Sequence, residues 1–205
     1  MSKGLIIVGV IVAIALIIGG VCVSSYNSLY TQKEAIDAKW ANVETDLQRR
    51  SDLIPQLVGA VQGTLTQEQA VFGAIANARA GLTTALKSGN RSEVIDADNQ
   101  LTSALQRIQF LSITEAYPEL KSNENVLRLQ DEIAGTENRL KVSRQDYNTA
   151  VQSYNTARGK FPTVLLAGML GFQREDAYFK SAPGAQEAPK VELNKPAAPA
   201  PAPAR

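Results

Sequence analysis

The run Gly4–Val23, GLIIVGVIVAIALIIGGVCV, is twenty residues without a charge. At about 1.5 Å per residue a helix of that length covers roughly the 30 Å hydrocarbon core of a bilayer. No face of the run is polar, so it does not read as the core helix of a soluble domain. A cleaved signal peptide is the rival reading, but its apolar region is usually about 7–15 residues and ends in a small-x-small site. The sequence therefore predicts a flank at 1–3 and a transmembrane anchor at 4–23, with the lipid bilayer as the first partner. Lys3 precedes the span, while Lys33, the first basic residue after it, is followed closely by Glu34 and Asp37. The positive-inside rule then favours a single-pass protein of the cell membrane with its body on the periplasmic or external side. Lipoprotein processing at Cys22 would need a small residue just before it and an aliphatic residue three before. Val21 and Gly19 stand there, so Cys22 reads as a small apolar residue near the membrane edge.

Beyond the span a heptad-like pattern begins. Tyr26, Lys33, Trp40, Leu47, Ile54 and Val61 are seven apart, and Leu29, Ile36, Val43, Arg50 and Leu57 interleave with them. That is one face of a helix continuing from the membrane. Two residues interrupt it. Arg50 stands on the apolar stripe, and Pro55 falls inside the helical pattern. Either Asp52 caps a new helix with Pro55 in its first turn, or one helix continues through a kink at Pro55. The unbroken phase favours the kink. The stripe then runs through Leu65, Glu68, Phe72, Ile75, Ala78, Leu82 and Leu86 to a stop at Ser88-Gly89-Asn90. Gly59, Gly63, Ala70 and Gly73 form a ridge of small residues beside it, which suggests close approach of a neighbouring helix.

Ser92 can cap a third helix with the stripe Val94, Ala97, Leu101, Leu105, Ile108, Leu111, ending before Tyr117-Pro118. A fourth helix is expected from about Asn123 to Ala157. One of its seven-spaced sets is large (Val126, Ile133, Leu140, Tyr147, Tyr154). The other is mostly small or polar (Leu129, Thr136, Ser143, Ala150, Ala157). Such a seam can accept a long guest from a partner helix, and the spacing predicts Arg50 as that guest with Glu137 as its counter-ion. The apolar segment 161–172 is too short to span a bilayer and is expected to fold back over the end of the bundle, or else to dip into the membrane surface. Six of the nine prolines lie in Pro183–Pro203, so 181–205 reads as a disordered Pro/Ala-rich tail. The expected fold class is all-α: an N-terminal transmembrane helix followed by an antiparallel bundle of about four long helices over 24–180.

Composition removes much chemistry. The chain has no histidine and one cysteine, so the commonest general base, Cys-based zinc sites and internal disulfides are absent. With 21 Lys plus Arg against 20 Asp plus Glu, no nucleic-acid footprint is expected. Phosphate-binding loops, dinucleotide turns and nucleophile elbows are missing. Neighbouring acids such as Asp131-Glu132 read as a solvated helix face. No catalytic residue, metal, cofactor or small-molecule substrate is expected.

Several blocks together resemble the bacterial LemA family: Tyr26-Asn27, Trp40, LQRRSDLIPQLV at 47–58, YPELKSN at 117–123, LQDEI at 129–133, TENR at 136–139, Arg144, Tyr-Asn at 147–148 and 154–155, and Phe161-Pro162. The resemblance implies a membrane-tethered helical bundle of bacterial origin and supplies no activity. Gln56 and Gln67 depart from the family's usual Asn and His.

The polar residues of those blocks, Arg49, Arg50, Asp52, Pro55, Glu137, Asn138 and Arg139, are the candidate site. They read first as a polar layer fixing helix register. The sharper alternative is a partner site in which Arg forks hold an anionic ligand or acidic segment. Trp40, Tyr147 and Tyr154 read as packing, with Asn148 and Asn155 free to bond a neighbouring helix. The functional expectation is a non-enzymatic scaffold of the cell envelope whose partner is an unidentified membrane or envelope protein, or another copy of itself. Alternatives are a protein that shapes the bilayer, or an accessory subunit of a membrane enzyme such as an envelope stress protease.

Overall fold

The structure, a computed structural model, describes residues 3–61, 69–110 and 124–180. Among them the chain is all-α with no strand. Helix α1 runs Lys3–Val61, α2 Gln69–Ser88, α3 Arg91–Phe110, α4 Glu124–Gly159, and a short α5 covers Thr163–Ala167. Leu65, Leu111, the Tyr117-Pro118 stop and the tail fall outside the described residues.

Helix α1 is 59 residues long, with Pro55 inside it. Its two halves differ in what covers them. Residues 3–20 are bare, and burial begins at Val21 and Cys22. The expected stripe then faces a core of Leu29, Ile36, Trp40, Val43, Leu47 and Ile54. Tyr26 and Lys33 keep the seven-residue phase but stay exposed. Around residue 50 the buried face widens to Arg50, Ser51, Leu53 and Ile54.

Helices α1 and α4 lie antiparallel, as Lys39–Asp146, Asp46–Ser143 and Arg49–Glu132 pairs show. The α2–α3 hairpin packs against α1 from another side, with Ile75, Leu82, Val94, Ile95 and Leu101 in the shared core. The hairpin turn places Gly89 at φ +69°, a left-handed conformation that suits glycine. Asn90, not Ser92, caps α3: its Oδ1 accepts the backbone N–H of Ser92 at 3.0 Å and of Glu93 at 3.4 Å. The small-residue ridge has no structural partner at its described glycines, since a Cβ on Gly59 or Gly73 would meet nothing within 4 Å.

Helix α5 folds back on the bundle end. Gly171, at φ +81°, closes a Schellman turn in which Phe172 N–H reaches Ala167 O and Gly171 N–H reaches Gly168 O. The turn drives Phe172 into the core, edge-on to Tyr26 at 5.5 Å. From there residues 173–180 run without regular structure along α4.

Candidate functional site

The backbone at Pro55 decides the local arrangement. Proline has no N–H, so the carbonyl four residues earlier, Ser51 O, loses its helical donor. Arg79 of α2 supplies one, its Nε donating to Ser51 O at 2.8 Å. The helix therefore passes through 51–55 uninterrupted, and Asp52 is not a cap. Asp52 faces outward and accepts from Gln48 Nε2 at 2.9 Å.

One helical position before that carbonyl, Arg50 points into the bundle and is 2% exposed. A buried guanidinium needs both charge and hydrogen-bond partners. Its Nη1 donates to Asp98 Oδ1 at 2.8 Å and Thr102 Oγ1 at 3.0 Å. Its Nε lies 2.7 Å from Glu137 Oε1, an ion pair without hydrogen-bond alignment. The Glu137 pairing expected from the small seam of α4 is thus formed. Asp98 of α3, fully buried, is the partner that sequence reading missed, and it also accepts Arg144 Nη2. Asp98 was findable, being four residues after Val94 and three before Leu101, on the α3 stripe itself. Burial raises the Asp98 carboxyl above its ordinary value, with Arg144 and Arg50 opposing that shift. Burial also lowers Arg50, against Glu137 and Asp98. The layer joins α1, α3 and α4, and a groove of about 500 Å³ borders it, lined by Leu57, Thr102, Gln130 and Ile133 as well as Arg50 and Glu137.

The remaining candidates do not enter this layer. Arg49 lies on the surface, 3.2 Å from Glu132. Arg139 is exposed and donates to Thr136 Oγ1 at 2.9 Å. Asn138 and Arg139 instead line a shallow outer groove of about 490 Å³ with Asn42, Thr45, Val142 and Ser143.

A second constellation forms around the paired Tyr-Asn motifs. Tyr147 and Tyr154 are buried and donate their hydroxyls to Ala177 O at 2.8 Å and Gln173 O at 2.6 Å. The asparagines do not bond a neighbouring helix. Each grips the extended chain at both backbone groups of one residue. Asn148 donates to Phe179 O at 2.8 Å and accepts Phe179 N–H at 3.0 Å. Asn155 does the same to Glu175, at 2.7 and 3.1 Å. A side-chain amide can do this because it carries a donor and an acceptor side by side. The seven-residue repeat sets the two clamps one above the other on α4. Phe179, so held, packs with Trp40 at 6.1 Å and Tyr147 at 5.9 Å. Arg91 closes the edge, pairing with Asp37 and with Glu175 at 2.9 Å, over the Trp40 ring at 5.5 Å. Burial pushes the Tyr147 phenol up to about 12.

Neither constellation contains a nucleophile paired with a base, and no group of three or more metal-ligating side chains occurs among the described residues. The arrangement can lock helices and hold chain. At the other end, α1 is the one described helix long and apolar enough to cross a membrane, with none of its apolar window buried.

The family model described as the LemA family matches residues 39–193. It begins just before Trp40, so Tyr26-Asn27 lie ahead of it. Among curated proteins the chain is similar to Magnetosome protein MamQ 1 and MamQ 2 of Paramagnetospirillum magneticum, each 26% identical over 181 residues. It is also similar to Magnetosome protein MamQ of Magnetospirillum gryphiswaldense, again 26% identical. Each match takes in 77% of this chain and 65% of the relative, so the chain spans just under two thirds of those relatives' length.

Proposed function

This chain belongs to the LemA family, and from that premise we propose that it is a non-catalytic scaffold, tethered by residues 4–23 and presenting its bundle to another membrane or envelope protein. The observation that carries the reading is helix α1. One unbroken helix forms both the bare apolar segment and the central element of the bundle core. The bundle is therefore displayed at a fixed height from the anchor rather than on a loose linker. Anchoring raises the effective concentration of any membrane-bound partner without new contacts. The paired interior of the Arg50 layer supports a structural role for it. Partner recognition then falls to surfaces, and the outer groove at Asp46, Asn138, Arg139 and Val142 suits a helix that carries apolar and polar side chains: Val142 is 59% exposed between groups of both charges.

The test is site-specific photocrosslinking in cells from Asn138 and Val142, in the full chain and in a chain lacking residues 1–23. Discrete adducts that depend on the anchor are expected. Adducts of equal yield without the anchor would remove tethering from the mechanism. Adducts from α2 positions alone would move the partner surface elsewhere. External protease on spheroplasts, read at a C-terminal epitope, is expected to digest the body, placing it on the periplasmic or external side.

A further inference from the structure

The turn at the membrane end of the bundle carries an apolar face that the fold leaves uncovered. Ala167 and Phe172 are buried, yet Phe161 is 79%, Leu165 65% and Met169 85% exposed. No ionisable side chain occurs from Phe161 to Phe172, while Lys160 and Arg174 bracket the segment, both exposed.

Its height on the molecule is fixed by α1. Helix α5 packs on α1 and α4, and Phe172 meets Tyr26, three residues past the apolar run. The bare part of that run, residues 4–20, is about 26 Å long at 1.5 Å per residue. Roughly 30 Å of hydrocarbon must be crossed. The boundary therefore falls on the turn 21–23, where protein cover begins. Tyr26 and Tyr30, stacked at 6.2 Å and both exposed, stand at the level where aromatic side chains with polar tips gather.

We propose that the exposed apolar face of the 161–171 turn, formed by Phe161, Leu165 and Met169, seats in the interfacial layer of the same bilayer that residues 4–23 span, with Lys160 toward anionic headgroups. Continuity names the occupant: the face adjoins the bare helix at the depth where lipid already surrounds it. The bundle then meets the membrane at two places, and its orientation to the surface is fixed as well as its height. The inference rests on the tether reading only in needing residues 4–23 in lipid.

The experiment uses the full chain carrying Cys22→Ala, with nitroxide labels at Leu165→Cys, Met169→Cys, Leu16→Cys or Thr149→Cys, one at a time. The chain is reconstituted in vesicles of phosphatidylcholine and phosphatidylglycerol, and collision with oxygen is compared with collision with a polar nickel chelate. Oxygen is expected to exceed nickel several-fold at 16, 165 and 169, and the order to reverse at 149. Nickel in excess at 165 and 169 with position 16 in lipid would overturn the inference and leave the tether standing. Nickel in excess at 16 as well would remove the membrane reading itself. Protection from both reagents at 165, with spin–spin broadening, would put a second copy on this face and also overturn it.

Discussion

The layer around Arg50 holds helices together with charge, whereas the clasp holds the backbone of irregular residues 173–179 with neutral amides and phenols and keeps its one ion pair, Arg91–Glu175, at the edge. In the layer, two guanidiniums share Asp98 while Glu137 pairs with Arg50. Removing a member leaves an uncompensated charge in the interior. In the clasp, four side chains each bond the backbone, so each loss costs one neutral set. The charges join three elements that are each helical. The amides give structure to a segment that has none of its own.

The largest effect expected follows from Asp98→Ala, which takes from Arg144 its carboxylate and leaves buried Arg50 with Glu137 alone, and should cost about 3–5 kcal/mol. Chemical denaturation reads it directly, and a variant as stable as the parent would make the layer ornamental. Next is Asn155→Ala, which frees both backbone groups of Glu175 and should cost about 1–3 kcal/mol. The contrast sharpens in hydrogen exchange. Protection should collapse at residues 173–179 while α1, α3 and α4 keep theirs, and uniform loss would mean that the clasp is part of the bundle's cooperative unit. The third is alkaline. Tyr147 donates its proton to the clasp, and its phenol is raised from 10.0 to about 12. The fold favours the protonated form, so this contribution is full below pH 10 and is lost as pH rises toward 12. Tyr147→Phe should flatten that part of the stability profile, and an unchanged profile would assign the loss to other groups. Smallest is Arg49→Ala. Its pair with Glu132 is half exposed and should contribute at most about 1 kcal/mol, although it neighbours Arg50 in sequence.

What the sequence revealed depended on periodicity. The helices and the guest position of Arg50 follow from spacings of three, four and seven, and the bare anchor from the length of an uncharged apolar run. Asp98 was hidden by its type rather than its place, since a carboxylate on an apolar stripe reads as an interruption until its guanidinium is known. The Tyr-Asn repeat announced two rungs on α4 but not what they carry, because the segment at 173–179 has no period of its own. Pro55 offered two readings for a related reason. Its effect depended on whether a distant donor would take Ser51 O, and Arg79 lies on another helix, 28 residues on.

The continuity of α1 also makes it a lever. Residues 24–61 form an arm of about 57 Å beyond the apolar run. Each degree of anchor tilt moves the far tip sideways by roughly 1 Å for an arm of that length. A membrane-spanning helix adjusts to bilayer thickness by tilting, and the second seat proposed for the 161–171 turn would oppose that sweep and hold the Arg50 end in place.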